Sequence, residues 1–155
     1  MSSNAERAAV LTRALRARIT GDRAAMSEVY TDDVRAWTPT LSVTSLSELR
    51  EEFDRQDDAF TDAALDVMPL DVGGDYACAE WSVTMTHSGS IEIAPGTVVE
   101  PTGVAVTVHG VTIAEFRDGR ICSLRQHWDE RELLEQLGVV RTIDDDIEHP
   151  RQNRS

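Results

Sequence analysis

VHGVTIAEFRDGRICSLRQHW, residues 108–128, reads as two strands joined by a tight turn. Apolar and polar residues alternate on both sides of Asp118-Gly119, a dipeptide that tolerates the positive backbone angles of a two-residue hairpin loop. With that loop, regular pairing sets Ala114 opposite Ser123, Thr112 opposite Arg125 and Gly110 opposite His127. Alternation then places Ser123, Arg125, His127 and Asp129 on one face, across from small residues that leave room for a ligand. The hairpin is also apolar on both parities: Val111, Ile113, Leu124 and Trp128 on one side, Val108, Phe116 and Ile121 on the other. A sheet built from it needs cover on both faces.

Working outward, a period of two continues upstream, with strands expected near residues 64–72 and 76–87 and a tight turn at Gly73-Gly74. In the second of these, Ala77, Ala79, Trp81, Val83, Met85 and His87 share the core parity. An excursion containing Pro95, Gly96 and Pro101 leads to the final hairpin, whose strands are expected over 104–116 and 120–128. Before the strands the period is helical. Ser3 or Asn4 caps a helix with Leu11, Leu15 and Ile19 on one stripe, and Gly21 ends it. Asp22 caps a short helix carrying Met26, Val29 and Tyr30, followed by an extended piece ending at Pro39. A third helix opens with the capping box Ser45-x-x-Glu48 and buries Leu46, Leu49, Phe53 and Phe60. A last one covers 130–137, with Asp129 as its cap. Helices followed by antiparallel strands predict an α+β domain with its helices on one face of the sheet. Three helices cover one face, so the other is expected to meet a second copy, giving a homodimer through the sheet.

At 155 residues, 41% hydrophobic and 28% charged, the chain has the size and balance of a single domain, expected over 1–141. Residues 142–155, with Asp144, Asp145, Asp146 and Glu148, read as a disordered acidic tail. A formal net charge of −13 argues against nucleic acid as a partner. The N-terminus runs straight into charge, and no apolar run approaches the ~20 residues a membrane span requires, so a cytoplasmic protein is expected. Cys78 and Cys122 show no paired spacing and read as reduced packing residues. Every basic residue is arginine, which excludes lysine Schiff-base chemistry. Four histidines without a clustered ligand set predict that no metal is required.

Three stretches resemble the SnoaL-like polyketide cyclases, within the superfamily built on the nuclear transport factor 2 fold. They are the segment from Gly21-Asp22 to Tyr30-Thr31-Asp32-Asp33-Val34, the hairpin Phe116-Arg117-Asp118-Gly119-Arg120-Ile121, and the ending from Asp129 through Leu133-Leu134-Glu135-Gln136-Leu137-Gly138. The resemblance spans about residues 8–138 and implies a cone in which a curved, mostly antiparallel sheet wraps helices around a deep pocket. It further implies a cofactor-independent cyclase or isomerase of bacterial secondary metabolism, such as antibiotic biosynthesis. Its general acid/base would be the aspartate at the end of the last strand, here Asp129. The subgroup's tryptophan four residues before that aspartate is replaced by Arg125, which points to a different substrate.

From the residues themselves, Asp129 and His127 are the candidate catalytic groups, and Arg125, His87, Trp37, Thr112 and Trp81 the candidate contacts to a hydrophobic small molecule. A structural alternative makes Arg125, His127 and Asp129 a rim ion cluster with Asp129 merely capping a helix. His87 ends the core parity of its strand, and Trp37 precedes Thr38-Pro39 on the expected pocket wall. A ketosteroid-isomerase-like activity is disfavoured because Ala14 and Thr38 stand where its tyrosine and acid are expected. A limonene-type epoxide hydrolase would use Arg125 with Asp129 and a second acid, Glu80 or Glu115, both of which parity places on the far face. A non-catalytic small-molecule-binding module is the third possibility.

Overall fold

The computed structural model describes residues 3–139, so the tail expected over 142–155 lies outside the described residues. The chain begins with α1 (Asn4–Thr20) and α2 (Arg23–Val29), continues through β1 (Tyr30–Thr38) and β2 (Leu41–Val43), and then enters α3 (Leu46–Gln56). Six further strands follow, β3 (Phe60–Leu70), β4 (Tyr76–His87), β5 (Ile91–Ala94), β6 (Thr97–Val99), β7 (Ala105–Arg117) and β8 (Arg120–Trp128), before α4 (Glu130–Gln136). Among the described residues no helix is long and apolar enough to cross a membrane.

The expected helix signals act as read. Ser3 Oγ accepts the Glu6 N–H, Asp22 accepts that of Ala25, and Gly21 ends α1 at φ 73°. Ser45 Oγ accepts the Glu48 N–H at 3.1 Å, while the Glu48 carboxylate reaches back to the Thr44 N–H, one residue beyond the usual capping-box partner.

The main sheet has the order β2-β1-β8-β7-β4-β3, with β1 and β8 parallel and all other pairs antiparallel. Leu11, Ala14 and Leu15 of α1, Met26 and Val29 of α2, and Leu46, Leu49 and Phe53 of α3 join one buried cluster with Ala77, Ala79, Ala114, Phe116, Ile121 and Leu124. These strand residues define the inner face, the one the helices cover. Leu133 and Leu137 of α4 join a second cluster with Val83, Val106 and Val108. Because β8 stops opposite Gly110, the edge of β7 beyond it is open. The Gln136 side chain fills that gap, its carbonyl accepting the Thr107 N–H and its amide donating to the Thr107 carbonyl, both at 2.8 Å.

Several sequence expectations shift. Phe60 opens β3 rather than closing α3, because the chain turns at Asp57-Asp58; β3 then bulges between Thr61 and Ala64, with Asp62 at φ 55°. Tyr30 starts β1 rather than ending α2. The link at Gly73-Gly74 is a loop from Asp71 to Asp75 rather than a two-residue turn. The excursion before the last hairpin folds into a separate ribbon, β5 paired with β6.

The most consequential change is in the last hairpin. Asp118 and Gly119 form the expected loop at φ 53° and 80°, and Arg117 pairs with Arg120 and Phe116 with Ile121 as regular pairing requires. The next pair is Glu115 with Ser123, which leaves Cys122 as an extra residue on β8. Its thiol lies 3.4 Å from the Glu115 carbonyl, which accepts from it. One inserted residue reverses the parity of everything that follows. Thr112 therefore faces Gln126 rather than Arg125, Gly110 faces Trp128, and Ile113 and Val111 face Arg125 and His127.

Candidate functional site

The inner wall is built from the core parity of four strands. Small residues, Ala77, Ala79 and Ala114, occupy the end where α1 packs. Further along, the lining grows larger and only half-buried: Trp81 and Met85 on β4, Gln126 and Trp128 on β8, Phe60 and Leu65 on β3, and Ile19 from α1. An apolar, aromatic lining with a few polar groups is the usual make-up of a small-molecule site.

Trp81 is the best-fixed member of that wall. Its indole N–H donates to the Thr112 hydroxyl at 2.9 Å, and its ring lies across Gly110. A Cβ at residue 110 would fall 2.3 Å from the ring, so only glycine lets the strands carry this side chain here. Thr112 is wholly buried, and the room expected beside Gly110 is filled by indole. Trp81 and Thr112, both read from the sequence as ligand contacts, are thus brought together, with Thr112 holding Trp81 and facing Gln126 rather than Arg125.

The remaining candidates separate. Arg125 and His127 are exposed on the outer face, where Trp37, beside Arg125 in register and 45% exposed, packs its ring against His127 at 5.2 Å. None of the three lines the interior, contrary to the sequence reading; the extra residue at Cys122 is the cause for the two on β8. Trp37 follows from β1, whose inward residues are Val34, Ala36 and Thr38. Glu80 and Glu115 prove to share the face of Arg125, but it is the outer one, so the epoxide-hydrolase set does not line the interior.

His87 does point inward, and no part of it is exposed. Its Nδ1 accepts the Thr102 N–H at 3.2 Å and lies 3.0 Å from the Thr102 hydroxyl, while its ring packs on Phe60 at 5.5 Å. With Nδ1 an acceptor, the neutral ring carries its proton on Nε2, which is buried without a partner among the described residues. His87 anchors the root of the β5-β6 ribbon: its own N–H and carbonyl also bond to Val104 and Gly103.

Asp129 stands at the point where β8 gives way to α4. Its Oδ1 accepts the N–H groups of Arg131 at 2.9 Å and Glu132 at 3.3 Å, the helix-capping role foreseen as the structural alternative. Oδ2 makes no hydrogen bond to a described residue. The rim ion cluster of that alternative does not form, since neither Arg125 nor His127 is paired with Asp129.

Gln126 is the residue that sequence reasoning missed. It is half-buried on the inner face beside Trp128, and its amide makes no hydrogen bond to a described residue. One signal pointed to it. Ile121 and Leu124 are both apolar and three residues apart, so a strand that buries both on one side must contain an extra residue between them.

Electrostatic perturbation falls outside the inner wall. Burial pushes the Tyr30 phenol up to about 12, with Arg18 pulling the other way. Burial also lowers the Arg18 guanidinium, opposed by its ion pair with Asp57 at 2.5 Å. Among the described residues no group of three His, Cys, Asp or Glu side chains could hold a metal ion. Two surface depressions lie away from the inner wall: one of about 520 Å³ along α1 beside Pro69, and one of about 420 Å³ ringed by Thr31, Asp32, Asp33, Arg117, Asp118 and Arg120.

Comparison with known proteins agrees with this architecture. Residues 11–124 match the family described as SnoaL-like domain. No curated protein is a significant sequence match. Among solved structures, the chain resembles AclR from Streptomyces galilaeus, described as a "putative hydroxylase", at 26% identity and TM-score 0.75, covering 90% of this chain and 100% of that one. It resembles a "putative SnoaL-like polyketide cyclase" from Jannaschia sp. CCS1 at 18% identity and TM-score 0.77, covering 91% and 99%. An LEH-like epoxide hydrolase of M. tuberculosis shares the fold at 13% identity and TM-score 0.66, covering 86% and 90%.

Proposed function

Since the chain belongs to the SnoaL-like domain family, whose match covers most of it, we propose that it is a cofactor-independent cyclase or isomerase of a polyketide-type molecule. The observation that carries this reading is the inner wall. Trp81 is fixed by Thr112, Trp128 and Met85 are half-buried, and Gln126 presents an uncommitted amide among apolar neighbours. An aromatic substrate packs on such a surface, and the Gln126 N–H can donate to a carbonyl oxygen.

Asp129, the residue following Trp128, is the proposed proton-transfer group. Its Oδ1 is committed to the helix cap, and Oδ2 is left to take a proton from a carbon activated by a neighbouring carbonyl. The carbanion adds to a second carbonyl carbon, a carbon–carbon bond replaces the carbon–hydrogen bond, and the proton returns from Oδ2 to the new alkoxide. Nothing in that sequence requires metal or redox chemistry. His127 and Arg125 have no part in it. The protein is further proposed to work as a cytoplasmic homodimer, with its outer sheet face as the contact surface.

A ligand co-purified with the chain and identified by mass spectrometry supplies the compound class to assay. Asp129→Asn should then lower turnover by about 10²- to 10⁴-fold with binding nearly unchanged. Unchanged turnover would overturn the assignment.

One observation favours a second reading. Of the described inward residues of β4, β7 and β8, none is a carboxylate. A small-molecule-binding protein without chemistry would show that pattern, with Gln126 as the polar anchor. In that case Gln126→Leu weakens ligand binding, and Asp129→Asn changes nothing.

A further inference from the structure

The box Leu133-Leu134-Glu135-Gln136-Leu137-Gly138 supplies no group to the proposed proton transfer. In the fold it holds α4 against the sheet in two ways. Leu133 and Leu137 lie buried on Val83, Val106 and Val108 of the inner face, with Trp81, Met85 and Trp128 packed around them. This cluster is separate from the one that α1, α2 and α3 form with the sheet. The second hold is Gln136. Its side-chain amide meets both backbone groups of Thr107, as a paired strand residue would, on the stretch of β7 that β8 leaves open. Beyond these two bonds, one polar contact ties α4 to the sheet among the described residues: Glu132 to His109 at 3.4 Å, between exposed side chains.

We propose that α4 is a hinged cover over the inner wall, that Gln136 is the latch holding it shut, and that ligand reaches Trp81, Met85 and Trp128 when the latch releases. The role of the wall as a ligand surface is the one proposed above. A helix of seven residues has too few internal bonds to hold its own position, so its place depends on these contacts. Lifting it uncovers the second cluster and leaves the packing of α1, α2 and α3 intact. It leaves no backbone group buried and unpaired, because Thr107 lies at an open strand edge where water replaces the Gln136 amide. The hinge is the junction after Trp128, where β8 ends and Asp129 is extended at φ −90° and ψ 103°. Both cap bonds of Asp129 run to its own helix, so they survive the movement. Asp129 is thus carried by the cover, and the latched position of α4 fixes how Oδ2 is presented. Gln136 acts on it as a positioning residue.

Native-state hydrogen exchange of the full chain reads the latch directly. The Thr107 N–H points to Gln136, so alternation directs those of Val106 and Val108 to β4. If α4 opens by itself, Thr107 should exchange at least about ten-fold faster than Val106 and Val108, at a rate that low denaturant leaves unchanged. Gln136→Leu should raise the Thr107 rate by about ten-fold more and leave Val106 and Val108 within about two-fold. Ile121→Ala, which loosens the other cluster, should speed Val106 and Val108 and leave Thr107 unchanged. 1-Naphthol, a neutral two-ring phenol, serves as the ligand probe, its binding followed by quenching of tryptophan fluorescence in a Trp37→Phe background. Gln136→Leu should speed its association by about ten-fold. Exchange of Thr107 together with Val106 and Val108, through global unfolding alone, would overturn the cover and leave the ligand wall standing. The parent chain decides this even if Gln136→Leu does not fold. Local exchange of Thr107 with no faster association in Gln136→Leu would mean that ligand does not enter past α4, and the proposal would fall. If 1-naphthol binds neither chain, the reading of the wall is itself overturned, and the gate with it.

Discussion

β4 and β8 lie two strands apart in one sheet, yet they treat alternation differently. Over twelve residues β4 keeps a single parity, so that Ala77, Ala79, Val83 and His87 are all buried on the same side. β8 buries Ile121, spends one residue on a bulge, and then buries Leu124 on the same side. The difference decides which chemistry each face holds. Without the bulge, Arg125 and His127 would enter the interior and Gln126 would sit outside; with it, the interior receives an amide and the outer face receives the charge. A single inserted residue separates a wall suited to an apolar ligand from a face suited to a partner.

The two faces should respond differently to the same truncation. Ile121 is wholly buried between helices and sheet, so Ile121→Ala should cost about 2 to 5 kcal/mol in denaturant unfolding. Ile113, half-buried on the outer side, should cost about 1 kcal/mol or less when measured on the dissociated chain. Equal losses would mean that the outer face is packed within a single copy. Gly110 offers a sharper probe of the inner wall. Gly110→Ala drives a methyl into the Trp81 ring and should cost about 1 to 3 kcal/mol. In a Trp81→Ala background the penalty should largely vanish, because the two changes share one contact.

Much of this contrast was open to reading in the sequence. The caps at Ser3, Asp22 and Ser45, the loop at Asp118-Gly119 and the β4 parity all depend on local chemistry, namely side-chain oxygens near free N–H groups, backbone angles and period two. These set the α+β order and placed Trp81 and His87 inward. The bulge was not legible by the same means, because Cys122 carries none of the glycine-type marks of an irregular strand. Its only trace was the three-residue interval between Ile121 and Leu124, which has meaning only once both are known to be buried. Candidate residues upstream of the bulge on β4 and β7 therefore kept their faces, while Arg125 and His127 changed theirs. Trp37 was misplaced for a different reason: its strand pairs in parallel with β8, a long-range contact that no local pattern reports.

The two tyrosines repeat the inner and outer contrast in a form that pH can read. Tyr76 is 41% exposed, and Tyr30 is 3% exposed among helix residues. Burial raises the Tyr30 phenol from its ordinary value near 10 to about 12. In the unfolded chain it releases its proton near pH 10, whereas in the fold it holds it to about 12. Its contribution is therefore fully present below pH 10 and falls as pH rises from 10 to about 12, by about 1.4 kcal/mol per pH unit across that window. Tyr30→Phe should remove this slope from an unfolding series, and an unchanged slope would show that another group titrates. The lack of lysine keeps that pH range comparatively clear.

The smallest effect separates the two duties of Asp129. As the cap of α4 it satisfies two backbone N–H groups through Oδ1. Asp129→Ala leaves both without a side-chain acceptor and should cost about 1 kcal/mol, as the loss of a cap usually does. Asparagine caps nearly as well as aspartate, so Asp129→Asn should change stability by only a few tenths of a kcal/mol. The carboxylate also opposes the partial positive charge at the start of the helix, which sets the size of that small remainder. Thermal unfolding of the two variants gives the comparison directly. If Asp129→Asn were as destabilising as Asp129→Ala, the cap would depend on charge rather than on its hydrogen bonds, and a loss of turnover in the asparagine variant could be charged to a loosened α4. If asparagine holds the helix and turnover still falls, the carboxylate is needed for the proton it carries, at the point where β8 gives way to α4.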